Sequence, residues 1–165
     1  MSIKIKNRHR LSDREIKVLQ DELKNSYSVE SFDAGSTIET GEVTGITIIL
    51  VDGEIVLMYH GDTLVFTVNG LQRYTPKDKF VVVDKGAVRF VARGADIMAP
   101  GIVDADENII EGDQVWICDE MYHKPLATGI ALMNGKQMID ERHGKAVTVI
   151  HHIGDTLWNL ITKSI

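Results

Sequence analysis

Cysteine is almost missing from this sequence. Cys118 stands alone, so no internal disulfide can form, and a reducing compartment, the cytoplasm, is the expected location. Within VWICD, a strand-like stretch, it reads as a small buried hydrophobe. No window approaches the ~18 uninterrupted apolar residues of a membrane span, so no membrane partner is expected. The N-terminus, MSIKIKNRHRLSDRE, is basic but lacks the apolar core of a secretion signal. Catalytic signatures are equally scarce. There is no G-x-S-x-G elbow, no H-E-x-x-H and no Cys/His pair at zinc spacing, so no nucleophile or metal site is expected. His151 and His152, being adjacent on a strand, would point to opposite faces, one buried and one exposed, and cannot chelate together.

Two near-motifs also fail. In GIALMNGKQ, five residues separate Gly129 from Gly135 where a phosphate loop needs four, and Gln137 follows Lys136 where Ser or Thr should bind the metal. With strand-like flanks it reads as a β-turn. In DADENIIEGD, Asp104, Asp106 and Asn108 keep calcium-loop spacing, but Ile109 replaces the turn glycine and no Glu follows at the twelfth position, which leaves a solvated loop. No cofactor is implied.

What is present is an ordinary globular composition over 165 residues, 44% hydrophobic and 25% charged, with a net charge of −6. That average conceals a segregation. Residues 1–29 carry seven Lys/Arg against four acids, whereas 30–71 carry seven acids and no Lys or Arg. Residues 72–96 are basic again, six against three, and 97–120 hold seven acids without a base. Residues 121–165 close with five bases against three acids. Fields follow local distribution, so a basic stripe can operate on an acidic protein.

LSDREIKVLQDELKNSY reads as a helix: Ser12 and Glu15 form a capping box, and Ile16, Leu19 and Leu23 keep helical spacing. In GITIILVDGEIVLMYHGDTLVFTV, Asp52-Gly53 joins two β-branched runs as a hairpin, and a third run follows His60-Gly61-Asp62. A three-stranded meander packed on the helix gives an α+β unit. QRYTPKDK, residues 72–79, is polar, aperiodic and contains Pro76, which divides the chain into an N-terminal unit, 1–75, and a second unit, 76–165. Beyond it, the VVV run at 81–83, NIIEGDQVWICD, PLATGIALMNGKQMI and KAVTVIHHIGDTLWNLI are glycine-punctuated apolar runs suited to a small β-barrel.

Between those runs lies VDKGAVRFVARGADIMAPGI. Asp84 can cap a helix starting near Gly86, and Gly94 can end it in the left-handed conformation. Lys85, Arg89 and Arg93 then share a narrow wedge, opposite Ala87, Val88, Val91 and Ala92, which would pack on the barrel. After the helix, Gly94, Ala95, Ala99 and Gly101 leave main-chain groups open to close approach. Phe90, at the wedge's edge, and Met98, in the loop, could touch a base or ribose while the cations meet phosphates. From spacing alone the stripe reads first as a solvated basic face ending in a glycine cap, ahead of an RNA-binding one.

KGAVRFVARGADIMAPGI closely resembles the signature of the PUA domain, the RNA-binding pseudobarrel of pseudouridine synthases and archaeosine transglycosylases. GDQVWI, GIALMNG and HHIGDTLWNL are similar to the rest of that module. The layout, a small α+β domain before a C-terminal PUA domain, resembles the archaeal relatives of the malignant T-cell amplified sequence protein and the N-terminal half of ligatin. The resemblance is strong over 79–158 and weak over 1–75. It implies an α+β domain followed by a mostly β pseudobarrel. It implies an RNA-binding groove at Lys85, Arg89, Arg93, Gly94, Ala95, Met98 and Gly101, to which the residue reading adds Phe90 and Ala99. It places Leu157 and Trp158 as barrel-closing residues. Its relatives act at the small ribosomal subunit, engage the acceptor end of tRNA and pair with a translation-factor protein through the N-terminal half. The expected function is therefore non-enzymatic binding of tRNA or rRNA in translation, with Lys4, Lys6, Arg8 and Arg10 as auxiliary cations. A protein-binding adaptor acting through the acidic 30–71 surface, or a targeting subunit of an RNA-modification enzyme, are the alternatives.

Overall fold

The computed structural model describes residues 4–163. Strand β1 (Lys6–Arg10) precedes helix α1 (Asp13–Tyr27), and β2 (Ile38–Val43), β3 (Ile46–Val51), β4 (Glu54–His60) and β5 (Thr63–Phe66) follow. They form one antiparallel sheet in the order β1-β2-β3-β4-β5. The expected capping box starts α1, with Glu15 N donating to Ser12 Oγ at 3.2 Å and Ser12 N to Glu15 Oε1 at 3.1 Å. Asp52 and Gly53 both take positive φ, 51° and 83°, the geometry a two-residue hairpin needs. The meander thus stands, extended by two strands that the apolar pattern does not announce. All five side chains of β1 are exposed, and what holds it to β2 includes a bidentate pair from Arg8 to Glu39, both bonds 2.9 Å. Part of the 72–79 segment is also helical, since α2 (Val68–Tyr74) runs into it.

The second sheet is built from β6 (Phe80–Val83), β7 (Ile97–Met98), β8 (Ile102–Ala105), β9 (Gln114–Asp119), β10 (Pro125–Ala131) and β11 (Lys145–His152), in the order β7-β11-β10-β9-β6-β8. Helix α3 (Lys85–Val91) leaves β6, α4 (Gly135–Asp140) follows β10, and α5 (Thr156–Lys163) closes the described chain. The fold class read from the sequence, an α+β region before a mostly β pseudobarrel, holds.

Three readings are corrected. GIALMNGKQ is not a β-turn between strands: Asn134 and Gln137 form a capping box, each N–H donating to the other's side chain at 2.8 Å, and start α4. Asp106 is not solvated; it is buried, accepting from Lys79 N at 2.7 Å and Asn108 N at 2.9 Å. Leu157 does not close the barrel. It packs with Ile161 on Val43, Ile48, Leu50, Ile55, Met58 and Val65, the outer face of the first sheet.

Strand alternation explains how the sheets are layered. Val81, Val83, Val115 and Ile117 point into the barrel core. Their neighbours Val82, Trp116 and Cys118 point the other way, into a core shared with α1, α2 and the inner face of the first sheet. Strands β3, β4 and β5 are therefore covered on both faces and read as runs of apolar residues, unlike the exposed β1. Cys118 is buried as expected, and burial, aided by Asp119 and Asp104, pushes its thiol up to about 12. His151 is buried as expected of one of two adjacent strand positions, whereas His152 is half-buried and not exposed, its ring lying beside Gly94.

Asp155 fixes the entry to α5. Its carboxylate accepts from His151 Nδ1 at 2.7 Å, His152 N at 3.0 Å and Trp158 N at 2.7 Å. Burial pushes this carboxyl up, but the bonds from His151, Trp158 and His152 outweigh it and hold it below its ordinary 3.8. The stability gained is complete above 3.8 and is lost as pH falls through the lower folded value. Acidification should therefore release α5, seen as exchange broadening of the amide signals of 156–163. Asp155→Asn should cost about 1–2 kcal/mol near neutrality and remove that acid step.

Candidate nucleic-acid interface

Helix α3 forms as the sequence anticipates. Asp84 Oδ1 accepts from Ala87 N at 2.8 Å, satisfying an amide of the first turn. The helix ends at Val91, and Gly94 follows with φ +88° while Ala95 N donates to Phe90 O at 3.0 Å. Two glycines here have packing reasons. A Cβ on Gly94 would lie 2.9 Å from His152 Nε2, and one on Gly101 would lie 3.2 Å from Ala87 Cβ. Their smallness lets the 95–101 loop close onto α3 and β11.

Lys85, Arg89 and Arg93 are all exposed, but Arg93 stands beyond the last helical residue, in the turn that leads to Gly94. Ala87 and Val88 pack against the barrel core and Val91 belongs to it, as the opposite wedge requires. Ala99 is wholly buried in that core, which withdraws it from the candidate surface. Phe90 and Met98 are each 49% exposed, unusual for large apolar side chains.

Arg93 and Gly94 line neither of the two clefts beside the helix, which separates the remaining candidates between them. One, of about 450 Å³, lies between α3 and the 95–101 loop and is lined by Gly86, Ala87, Phe90, Ala95, Met98 and Gly101. The other, of about 410 Å³, lies between α3 and the turn joining β9 to β10, and takes Lys85 and Arg89. At ~100° per residue, positions 86, 87 and 90 fall on one flank of the helix and 85, 88 and 89 on the other. The Arg89 guanidinium lies 5.1 Å from the Phe90 ring centroid, so charge and aromatic meet at the crest.

Residues far along the chain hold the loop that walls the first cleft. Pairing of β7 with β11 sets Lys145 opposite Met98, Ala99 N donates to Gly144 O at 2.9 Å, and Arg142 donates to Pro100 O at 3.2 Å. No periodicity in ERHGK signals this; only the strand pairing brings it there. Asp96, also in the cleft, accepts from Val149 N at 2.9 Å and pairs with Lys145 at 3.0 Å. The Val149 bond outweighs burial and holds this carboxyl below its usual range, with Lys145 adding to the effect.

Two of the four auxiliary cations, Arg8 and Arg10, are less available, while Lys4 and Lys6 are exposed. Arg8 is committed to Glu39, and Arg10 donates to Thr37 Oγ1 at 3.1 Å. The acidic 30–71 surface is likewise partly neutralised, because Arg73 bridges Asp33, Asp52 and Glu54 at 3.4, 3.0 and 3.4 Å.

The PUA domain profile matches residues 79–153, and the profile of a domain of unknown function, DUF1947, matches 7–74. An uncharacterised protein of Methanocaldococcus jannaschii is 41% identical over 159 residues, covering 95% of this chain and 98% of that one. The chain belongs to the PUA-domain family, in the branch that carries a DUF1947 domain ahead of the PUA domain. The translation machinery-associated protein 20 of Schizosaccharomyces pombe is 37% identical over 118 residues, 68% of this chain and 65% of its own length. A crystal structure of a hypothetical protein from Pyrococcus horikoshii superposes with a TM-score of 0.83 at 38% identity, over 93% of this chain and 99% of that one. Both clefts flank a helix that lies wholly inside the PUA match, whereas α5 lies beyond it.

Proposed function

We propose that this PUA-domain protein is a non-enzymatic RNA-binding protein of the cytoplasmic translation apparatus, acting on an unpaired RNA end such as the acceptor end of tRNA, or on rRNA. One observation carries the reading: α3 sets Lys85 and Arg89 on one flank and half-exposed Phe90, which lines the first cleft together with Met98, on the other. Charge neutralises the phosphates, while the apolar flank and the glycine-bounded main chain accept bases or ribose. Membership of the PUA family, and the likeness to a protein named for its association with the translation machinery, support the same conclusion. The DUF1947 domain serves a translation-factor protein partner. A groove of about 420 Å³ beside α1, lined by Leu11, Val18 and Tyr59 with Val18 64% exposed, supports that role.

The test is a fluorescence-anisotropy titration with tRNA, intact and lacking its 3′-terminal CCA. If about three phosphates are neutralised on a single strand, log K should fall with log salt at a slope of roughly −2. Arg89→Glu/Arg93→Glu should abolish the salt-dependent binding, and removal of CCA should weaken it. Binding that ignores both changes, or no binding at all, overturns the reading.

A further inference from the structure

The turn between β9 and β10 presents two large side chains to solvent beside the cations of α3. Tyr122 is 80% exposed and Met121 62%. This is a fixed turn. The Asp119 carboxylate accepts from Tyr122 N at 3.0 Å and Lys124 N at 2.6 Å, and His123 N donates to Asp119 O at 3.0 Å. Glu120 N donates to Val83 O at 3.0 Å, tying the turn to the end of β6. Its backbone is thus held while its aromatic ring contacts little, an arrangement that costs little entropy on binding.

We propose that the cleft between α3 and this turn holds one unpaired nucleotide of the RNA, its base stacked on Tyr122 and its phosphate on Lys85, Arg89 and Lys124. The proposal rests on the RNA-binding reading above and adds a second subsite to it. The cleft's apolar floor, Val88, Leu126 and Ile153, suits the face of a base, and its rim carries the three cations. Two acids also line it. Asp119 is occupied by the turn amides, and Glu120 accepts from Lys85 N at 3.2 Å. Against three cations they leave an excess of positive charge, and Glu120 can accept from an exocyclic amino group. With the first cleft on the opposite flank, a single strand laid across α3 can place neighbouring bases on either side of a helix ~10 Å wide.

The test uses the full chain and tRNA carrying 2-aminopurine at successive positions of its single-stranded 3′ end. Wild type should quench the probe at one position or a neighbouring pair. Tyr122→Ala should remove one such quench and weaken binding about five- to a hundred-fold, while Tyr122→Phe keeps both. An unchanged thermal midpoint will establish that Tyr122→Ala is folded. Wild-type affinity and an unaltered quench pattern in Tyr122→Ala overturn the subsite but leave the RNA-binding reading standing, and point to a protein ligand for the cleft. If wild type binds no RNA, both readings fall.

Discussion

Replacing Leu157 and Ile161 together with alanine should destabilise the N-terminal sheet by about 4 kcal/mol, although both residues lie at the far end of the chain. Each is nearly buried, 5% and 8% exposed, against Val43, Ile48, Leu50, Ile55, Met58 and Val65. Large-to-small changes in such contacts cost about 2–5 kcal/mol each, and two neighbours on one short helix share part of that loss. An amphipathic helix of eight residues has too little intrinsic stability to stay formed without its apolar face docked. Its loss would expose the outer face of β2 to β5 as a continuous apolar patch. Urea unfolding measures the stability change, and amide exchange should accelerate first in β3 and β4. Exchange confined to α5, with the sheet unaffected, would mean that the helix is an ornament of the barrel instead of a cover for the sheet.

That dependence was not legible in the sequence, for a specific reason. TLWNLITK follows KAVTVIHHI across only a short Gly-Asp break, and its eight residues are too few for a 3.6 period to stand out from a strand's. Asp155 decides the matter through bonds to His151, His152 and Trp158 that only the fold assembles. The same limit hid α2 and α4. It did not hide α1, where a capping box and two full turns of apolar spacing lie within one local window, nor α3, whose cap and terminal glycine bracket it. At the interface, the cationic spacing could be read from the chain. The division into two clefts could not, because the 95–101 loop and the 119–124 turn close on opposite flanks of α3 through contacts with β6, β7 and β11. Tyr122 enters on that turn, and Arg142 and Lys145 where the chain leads into β11, with no pattern of their own. Ala99 went the other way, its side chain drawn into the core by the 3-10 turn Ala99–Gly101.

Gly70→Ala should destabilise the protein by about 3 kcal/mol, whereas Gly86→Ala should be neutral or stabilise it by up to about 1 kcal/mol. Both glycines lie in seven-residue helices, so helix propensity favours alanine at each. The difference lies in what surrounds them. A Cβ on Gly70 would fall 2.0 Å from the carbonyl oxygen of Val56, whereas on Gly86 its nearest neighbour would be Asp84 Oδ1 at an ordinary 3.4 Å. The Val56 carbonyl cannot step aside cheaply. It accepts from Thr67 N at 3.0 Å and Thr67 Oγ1 at 3.1 Å, bonds that pin the start of α2 to β4. Thr67 in turn caps Gly70 N at 3.0 Å, so a methyl group there forces apart the contacts that hold the helix in place. For a chain of this length the loss corresponds to a fall in thermal midpoint of roughly 6–12 °C. Equal behaviour of the two variants in a melting experiment would mean that α2 can lift from β4 without cost, and that Thr67 is not the pin described here.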